Sequence, residues 1–221
     1  SSPISNTTAH YFADNIKYDD FGKGIFDLFI DDKYVDIISL NVVGTHNISN
    51  SLPSIALANY FDIPMNIIKK GILAFTGTER RFEYKGEICG VTIIDDYAHH
   101  PTEVKATLTA AKKYPHKSIY CVFQPHTYTR TKTFLDEFAN VLSLADVIIL
   151  TDIYAAREKN PGDISSRDLM HKLQNLGKEV YHFESFDEIE NLILKKCTHG
   201  DLLITMGAGD VVNIGESLLG I

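Results

Sequence analysis

The chain has 221 residues, enough for one generous core or two smaller ones, and its apolar and charged fractions are ordinary for a folded protein. A net charge of −8 with dispersed lysines and arginines excludes a non-specific nucleic-acid binder, which needs a basic face, and no apolar stretch approaches membrane-spanning length. Cys89, Cys121 and Cys197 form no C-x-x-C pair; they suit a reducing cytoplasm, with buried free thiols favoured over a metal site or disulfide framework.

The opening Ser1-Ser2-Pro3 has no signal-peptide character and no initiator Met, as expected of an excised fragment. Up to about Phe75 the pattern reads strand, strand, helix, helix. Gly24 to Ile30 and Tyr34 to Leu40 are β-rich runs flanking Asp31-Asp32-Lys33, which predicts a hairpin. Gly44-Thr45-His46-Asn47-Ile48-Ser49-Asn50 then leads into an apolar segment. Pro53 is tolerated only in a helix's first turn, so the regular helix is expected to start near Asn50. A second short helix is predicted from Pro64 to near Phe75. The segment Thr76 to Tyr84, with Gly77, Arg80 and Arg81, reads as the junction between two domains, 1–78 and 79–221.

From Gly90 onward strands alternate with helices: strands at Val91–Ile94, Ile119–Phe123, Val147–Leu150, Val180–Phe183 and Leu202–Thr205, with helices at Glu103–Lys113, Thr131–Leu142, Ser165–Leu176 and Phe186–Lys195. That alternation predicts an α/β fold, a Rossmann-like domain with a mostly parallel sheet. In such sheets ligands bind where loops leave the carboxyl ends of the strands. The loops there carry Asp95-Asp96-Tyr97-Ala98-His99-His100-Pro101 and Gln124-Pro125-His126-Thr127-Tyr128-Thr129-Arg130.

Pro101 fits a first helical position, so His99 and His100 precede a helix N-terminus, which suits an anion. Asp95 and Asp96 can accept from a sugar, hold a cation or cap the turn. Arg130 offers a planar fork for a carboxylate or phosphate, and His126 exchanges a proton near neutrality; the bland alternative is a solvated loop. Arg157 and Glu158 are expected to pair with each other or face water. Met206-Gly207-Ala208-Gly209-Asp210 lacks the full G-x-G-x-x-G pattern and reads as a tight turn needing glycine. Asn47 and Asn50, three apart, can share a helix face and read a base edge or cap the helix. Arg80 and Arg81 can reach a phosphate between domains, or be a surface pair. No G-x-x-x-x-G-K-[ST] phosphate loop occurs.

Together these motifs resemble the Mur ligase family. The likeness rests on His46 to Asn50, Gly77 with Arg80-Arg81-Phe82-Glu83, Asp95 to Glu103, Phe123 to Thr131, Asp152 to Glu158 and Met206 to Asp210, and runs from about Gly44 to the end. Such ligases have a UDP-binding domain, a central ATPase domain and a C-terminal Rossmann-like domain. The resemblance implies the end of the central domain, 1–78, and the whole C-terminal domain, 79–221. It implies an ATP-dependent acid–amino-acid ligase of peptidoglycan precursor synthesis in the cytoplasm, joining L-alanine to UDP-N-acetylmuramate through an acyl phosphate. Asn47 and Asn50 are similar to the family's adenine-side asparagines, Arg81 to its phosphate-contacting arginine and Asp96 to its ribose-binding aspartate. Tyr97, His99, His126 and Arg130 match positions meeting the muramoyl group and the amino acid, with His99 and His126 the catalytic candidates. ATP and Mg2+ are the implied cofactors. The magnesium ligands and phosphate loop are expected upstream, so this chain alone should be inactive. Pro53 departs from the plain helix former expected at its position. The rival readings are a ligase attaching a preformed peptide in muropeptide recycling, a metal-dependent hydrolase using Asp95, Asp96, His99, His100 and His126, and a nucleotide-binding module without chemistry.

Overall fold

The computed structural model describes residues 10–221, so the Ser1-Ser2-Pro3 opening lies outside the described residues. The chain divides into two compact units, one ending at Gly77 and the other spanning Thr78–Ile221. Among the described residues no helix is long and apolar enough to cross a membrane.

The first unit is an antiparallel sheet of β1 (Tyr11–Tyr18), β2 (Lys23–Ile30) and β3 (Lys33–Val43), in that order, with α1 (Thr45–Tyr60) and α2 (Met65–Ala74). The predicted hairpin is there: Ile30 faces Lys33, and Asp31 and Asp32 both take positive φ (48° and 61°), as a tight hairpin turn requires. Alternation along β2 sends Phe26 and Leu28 to the core face, where Ile38 and Leu40 of β3 meet Ile48 and Ile55 of α1 and Ile68 of α2. Strand β1 was not expected from the sequence. Its residues are only half-buried or exposed, so it lacks the clean apolar alternation that marks a strand.

Helix α1 corrects the expected start near Asn50. It begins at Thr45 and carries Pro53 in its interior. The proline ring removes one intrahelical donor, yet Pro53 lies on the exposed side while Ile48, Ser51 and Ile55 of the same helix are buried. Packing against the sheet therefore outweighs the local breaker.

The second unit is a six-stranded sheet in the order β4-β5-β9-β6-β7-β8. Its strands are β4 (Glu83–Ile88), β5 (Val91–Asp96), β6 (Ile119–Phe123), β7 (Val147–Leu150), β8 (Glu179–His182) and β9 (Leu202–Met206). All neighbours run parallel except β4, an antiparallel edge strand that the sequence reading had assigned partly to the junction. Helices α3 (Pro101–Ala111), α5 (Leu135–Leu142) and α6 (Ser166–Asn175) bury Val104, Leu108, Phe138, Leu142, Leu169 and Leu173 against one face. Helices α7 (Phe186–Lys196) and α8 (Val212–Leu219) bury Ile189, Ile193 and Ile214 against the other. The expected helix over Thr131–Leu142 is in fact two, α4 (Tyr128–Thr133) and α5, broken at Phe134. Because β9 inserts between β5 and β6, the loops leaving these three strands converge on one stretch of the sheet's carboxyl edge.

Candidate active site at the carboxyl edge of the second sheet

Asp95 and Asp96 are not loop residues, as the sequence reading had them, but the last two residues of β5, and both are buried. Asp96 ties its surroundings together: Oδ1 accepts from the Ala98 amide at 2.8 Å, and Oδ2 from the Phe82 amide and the Thr107 hydroxyl, each at 2.9 Å. Burial raises its pKa against the pull of those donors. A ribose hydroxyl would have to share an oxygen that is already bonded. Asp95 is wholly buried, accepts from Arg80 Nε and from the Thr205 hydroxyl, and is likewise raised mainly by burial.

Beyond Asp96 the chain reaches α3 through a capped turn. His100 is the N-cap and Pro101 the first helical residue, as its type predicts. Glu103 Oε2 accepts from the His99 and His100 amides, each at 3.1 Å. The cap holds His99 half-buried, with Tyr97 more exposed. His99 Nδ1 lies 2.8 Å from the Tyr97 carbonyl. A carbonyl only accepts, so Nδ1 carries the proton and Nε2 the lone pair.

His126 has the opposite arrangement. Its Nδ1 lies 2.9 Å from Nη1 of Arg130, which only donates, so the lone pair is on Nδ1 and the proton on Nε2. Its pKa is lowered, first by burial and then by the charge of Arg130 and by His99, which keeps the ring neutral. The two imidazole rings meet edge to face with centroids 5.4 Å apart. One ring thus presents an acceptor and its neighbour a donor. Among the described residues Arg130 makes no ion pair, so its guanidinium is not neutralised by the protein itself.

The loop bearing His126 is pinned to the loop after β7. His126 and Tyr154 form a parallel bridge, the Tyr154 amide donates to the Pro125 carbonyl at 2.8 Å, and the Thr127 amide donates to the Tyr154 carbonyl at 2.9 Å. Tyr154 stacks on the His126 ring at 5.8 Å. Thr127, β-branched, is forced to a φ of 66°, local strain of the kind concentrated at functional sites. Of the two outcomes expected for Arg157 and Glu158, Arg157 is exposed rather than paired, while Glu158 accepts from the Thr129 amide near the start of α4, which lowers its pKa.

Tyr154 also lines a groove of about 480 Å³, with residues that include Gln124, Asp152, Phe186 and Asp210. The Gln124 amide donates to Asp210 at 2.8 Å, while its Oε1 is buried without a partner. The Gly207–Gly209 turn passes so close that a Cβ on Gly209 would sit 2.2 Å from Gln124 Oε1 and 2.8 Å from the Tyr154 ring. Glycine is required there for lack of space.

The structure thus brings Tyr97, His99, His126 and Arg130 together in one unit, joined by Tyr154 and Gln124, which carry no signal of their own in the sequence, and by Arg80, whose fork is turned to protein acceptors. Arg81 lies exposed in the same unit, between Arg80 and Phe82, both of positive φ. Asn47 and Asn50 belong to the first unit, in the opening turns of α1. Asn47 donates to the Val43 carbonyl at 2.8 Å and Asn50 to Asn47 at 3.5 Å, so they do share a face. No group of three or more His, Cys, Asp or Glu side chains is placed to hold a metal ion among the described residues. Of the side chains named for a hydrolase, Asp95 and Asp96 are spent on protein partners, and the histidines left do not by themselves fit a magnesium or zinc centre.

Residues 80–209 match the family model described as Mur ligase, glutamate ligase domain, and the chain belongs to the Mur ligase family. It is 60% identical over 209 residues to the UDP-N-acetylmuramate–L-alanine ligase of Lachnoclostridium phytofermentans, covering 95% of this chain and 45% of that protein. It is 52% identical to the enzyme of the same name from Agathobacter rectalis, covering 95% and 46%. Among solved structures, the UDP-N-acetylmuramate–alanine ligase of Thermotoga maritima superposes with a TM-score of 0.81 at 26% identity, over 96% of this chain and 45% of that one. The chain therefore spans about half the length of the curated relatives it matches.

Proposed function

We propose that this chain is the end of the central domain and the C-terminal domain of a cytoplasmic, ATP-dependent ligase that joins L-alanine to the lactyl carboxylate of UDP-N-acetylmuramate. The observation that carries the reading is the opposed histidine pair beside Arg130. His99, protonated on Nδ1, offers its Nε2 lone pair to take a proton from the incoming amine. His126, protonated on Nε2, donates to the carbonyl oxygen as negative charge gathers on it. Arg130, which spends one Nη on His126, keeps the rest of its fork for the alanine carboxylate. The orphaned Gln124 Oε1 and the Asp210 carboxylate beside Tyr154 add acceptors suited to an ammonium group. Tyr97 lines the same cluster, its ring 5.5 Å from His99.

ATP, with Mg2+, supplies the phosphoryl group that activates the carboxylate. By family likeness Asn47 and Asn50 are assigned to the adenine, Arg81 to a phosphate, and Asp96 to the ribose through a shared oxygen. The names of the relatives at 60% and 52% identity support the choice of alanine over a preformed peptide.

The test uses the full-length parent enzyme. ADP release should require both UDP-N-acetylmuramate and L-alanine, and should fail when a muropeptide-derived tripeptide replaces alanine. Arg130→Lys keeps the charge but loses the fork, so the alanine KM should rise by about ten- to a hundred-fold, the worth of a charge-assisted hydrogen bond. Acyl-phosphate formation should change less. An unchanged alanine KM removes Arg130 from the site, and preference for the tripeptide overturns the substrate.

A further inference from the structure

We propose that Arg80 is a positioning residue whose guanidinium locks the Tyr97 turn and the Gly207–Gly209 loop into one frame and thereby sets the tautomer of His99. Every donor arm of its fork has a different job. Nε donates to Asp95 Oδ2 at 2.8 Å, Nη1 to the Gly209 carbonyl at 3.0 Å and Nη2 to the Gly207 carbonyl at 2.8 Å. Its anchor is rigid, because Asp95 is wholly buried at the end of β5 and is held from the far side by the Thr205 hydroxyl at 2.7 Å.

The same residue also grips Tyr97. The Arg80 carbonyl accepts from the Tyr97 amide at 2.6 Å, and the guanidinium carbon sits 4.9 Å from the centre of the Tyr97 ring. Tyr97 then fixes His99, since the Tyr97 carbonyl is the acceptor that keeps the proton on His99 Nδ1. Arg80 itself adopts a φ of 56°, an uncommon conformation for a residue with a side chain, and Glu83 caps its amide at 2.7 Å. A strained backbone with all three nitrogens of its fork bonded is a built joint. Lysine carries the charge but cannot reach three acceptors lying around one plane.

The other groups facing His99 are Glu103, at 3.5 Å from Nδ1, and His126, which is itself held by Arg130. Glu103 would accept from the same nitrogen but makes no hydrogen bond to it at that distance, so the Tyr97 carbonyl at 2.8 Å is what holds the proton on Nδ1, and the tautomer depends on where Tyr97 is held.

The experiment reads the ring nitrogens of His99 by long-range 1H–15N spectra of this chain at about pH 8, where imidazoles are neutral. His116, whose Nδ1 meets the Tyr114 carbonyl at 2.6 Å, is the internal control. The wild type should show His99 and His116 both protonated on Nδ1. In Arg80→Lys, His99 should shift toward the Nε2-protonated form while His116 stays as it was. An unmoved His99 in a folded Arg80→Lys overturns the proposal. Should His116 reveal that this variant has lost its fold, Asp95→Asn replaces it, keeping the volume while taking the charge from under the guanidinium. The same His99 shift is expected there, and its absence is equally fatal.

The consequence for turnover rests on the ligase reading above. In the full-length enzyme Arg80→Lys should lower kcat about tenfold or more while the alanine KM stays within about threefold, as for a group acting on alignment rather than on binding. A wild type without ligase activity would sink that reading and leave the ring-nitrogen result standing by itself.

Discussion

At the scale of single residues, the site depends on a neutral His126, and its environment gives a signed pH dependence. Burial and the Arg130 charge hold its folded pKa below the ordinary value near 6.5. The unfolded chain therefore binds this proton more readily, and stability falls where it does so. The contribution is complete above about pH 6.5 and is lost as pH drops through the folded value. Protonation also puts a donor against a donor, since Arg130 Nη1 would then face an N–H. His126→Gln keeps an acceptor for Arg130 but does not titrate. Between about pH 7.5 and 5 the wild type should lose more melting temperature than His126→Gln, and parallel curves would show that His126 is not depressed. His126 and Arg130 could each be singled out in the sequence, because they lie four residues apart just beyond a strand, but their bond to each other could not. Arg80 stands out in the sequence only as half of an arginine pair able to reach a phosphate; its carbonyl partners at Gly207 and Gly209 are 127 and 129 residues away, a proximity that only the sheet order creates.

At the scale of elements, buried strands were the most readable. β6 and β7 fall where their continuous apolar runs put them, because both faces of this sheet are covered. β1 and β4 escaped notice because edge strands bury neither face fully and carry charge instead. Helix α1 was misjudged through Pro53, whose local cost is real even though packing overrides it. That cost can be recovered. Pro53→Ala on the exposed side of α1 should restore a donor to the Ser49 carbonyl and raise the stability of the first unit by about 1–3 kcal/mol, less the entropy the proline removes from the unfolded chain. Urea unfolding followed by a probe in the first unit would measure it. A loss of stability would mean that Pro53 packs in a way its exposure does not suggest.

At the scale of the whole molecule, the chain divides after Gly77, within a mostly exposed run from Thr76 to Glu79. Each side has its own core. The second unit closes two, one on each face of its sheet, with Phe123, Phe138 and Ile148 fully buried in one and Ile93, Ile149 and Leu203 in the other. The bonds that shape the candidate site, from Arg80 to Asp95, Gly207 and Gly209 and from Arg130 to His126, all lie within Thr78–Ile221. This leads to a prediction about autonomy. A protein of residues 78–221 should fold alone, unfold in one cooperative transition, and keep the Nδ1-protonated His99 signature. Calorimetry of the whole chain should resolve a matching transition, with midpoints within about 4 °C, the shift that about 1 kcal/mol produces in a domain approaching about 150 residues. Should residues 78–221 prove unfolded, or should the midpoints differ by much more, the second unit would draw essential stability from the first. The site would then have to be understood as a property of the undivided chain.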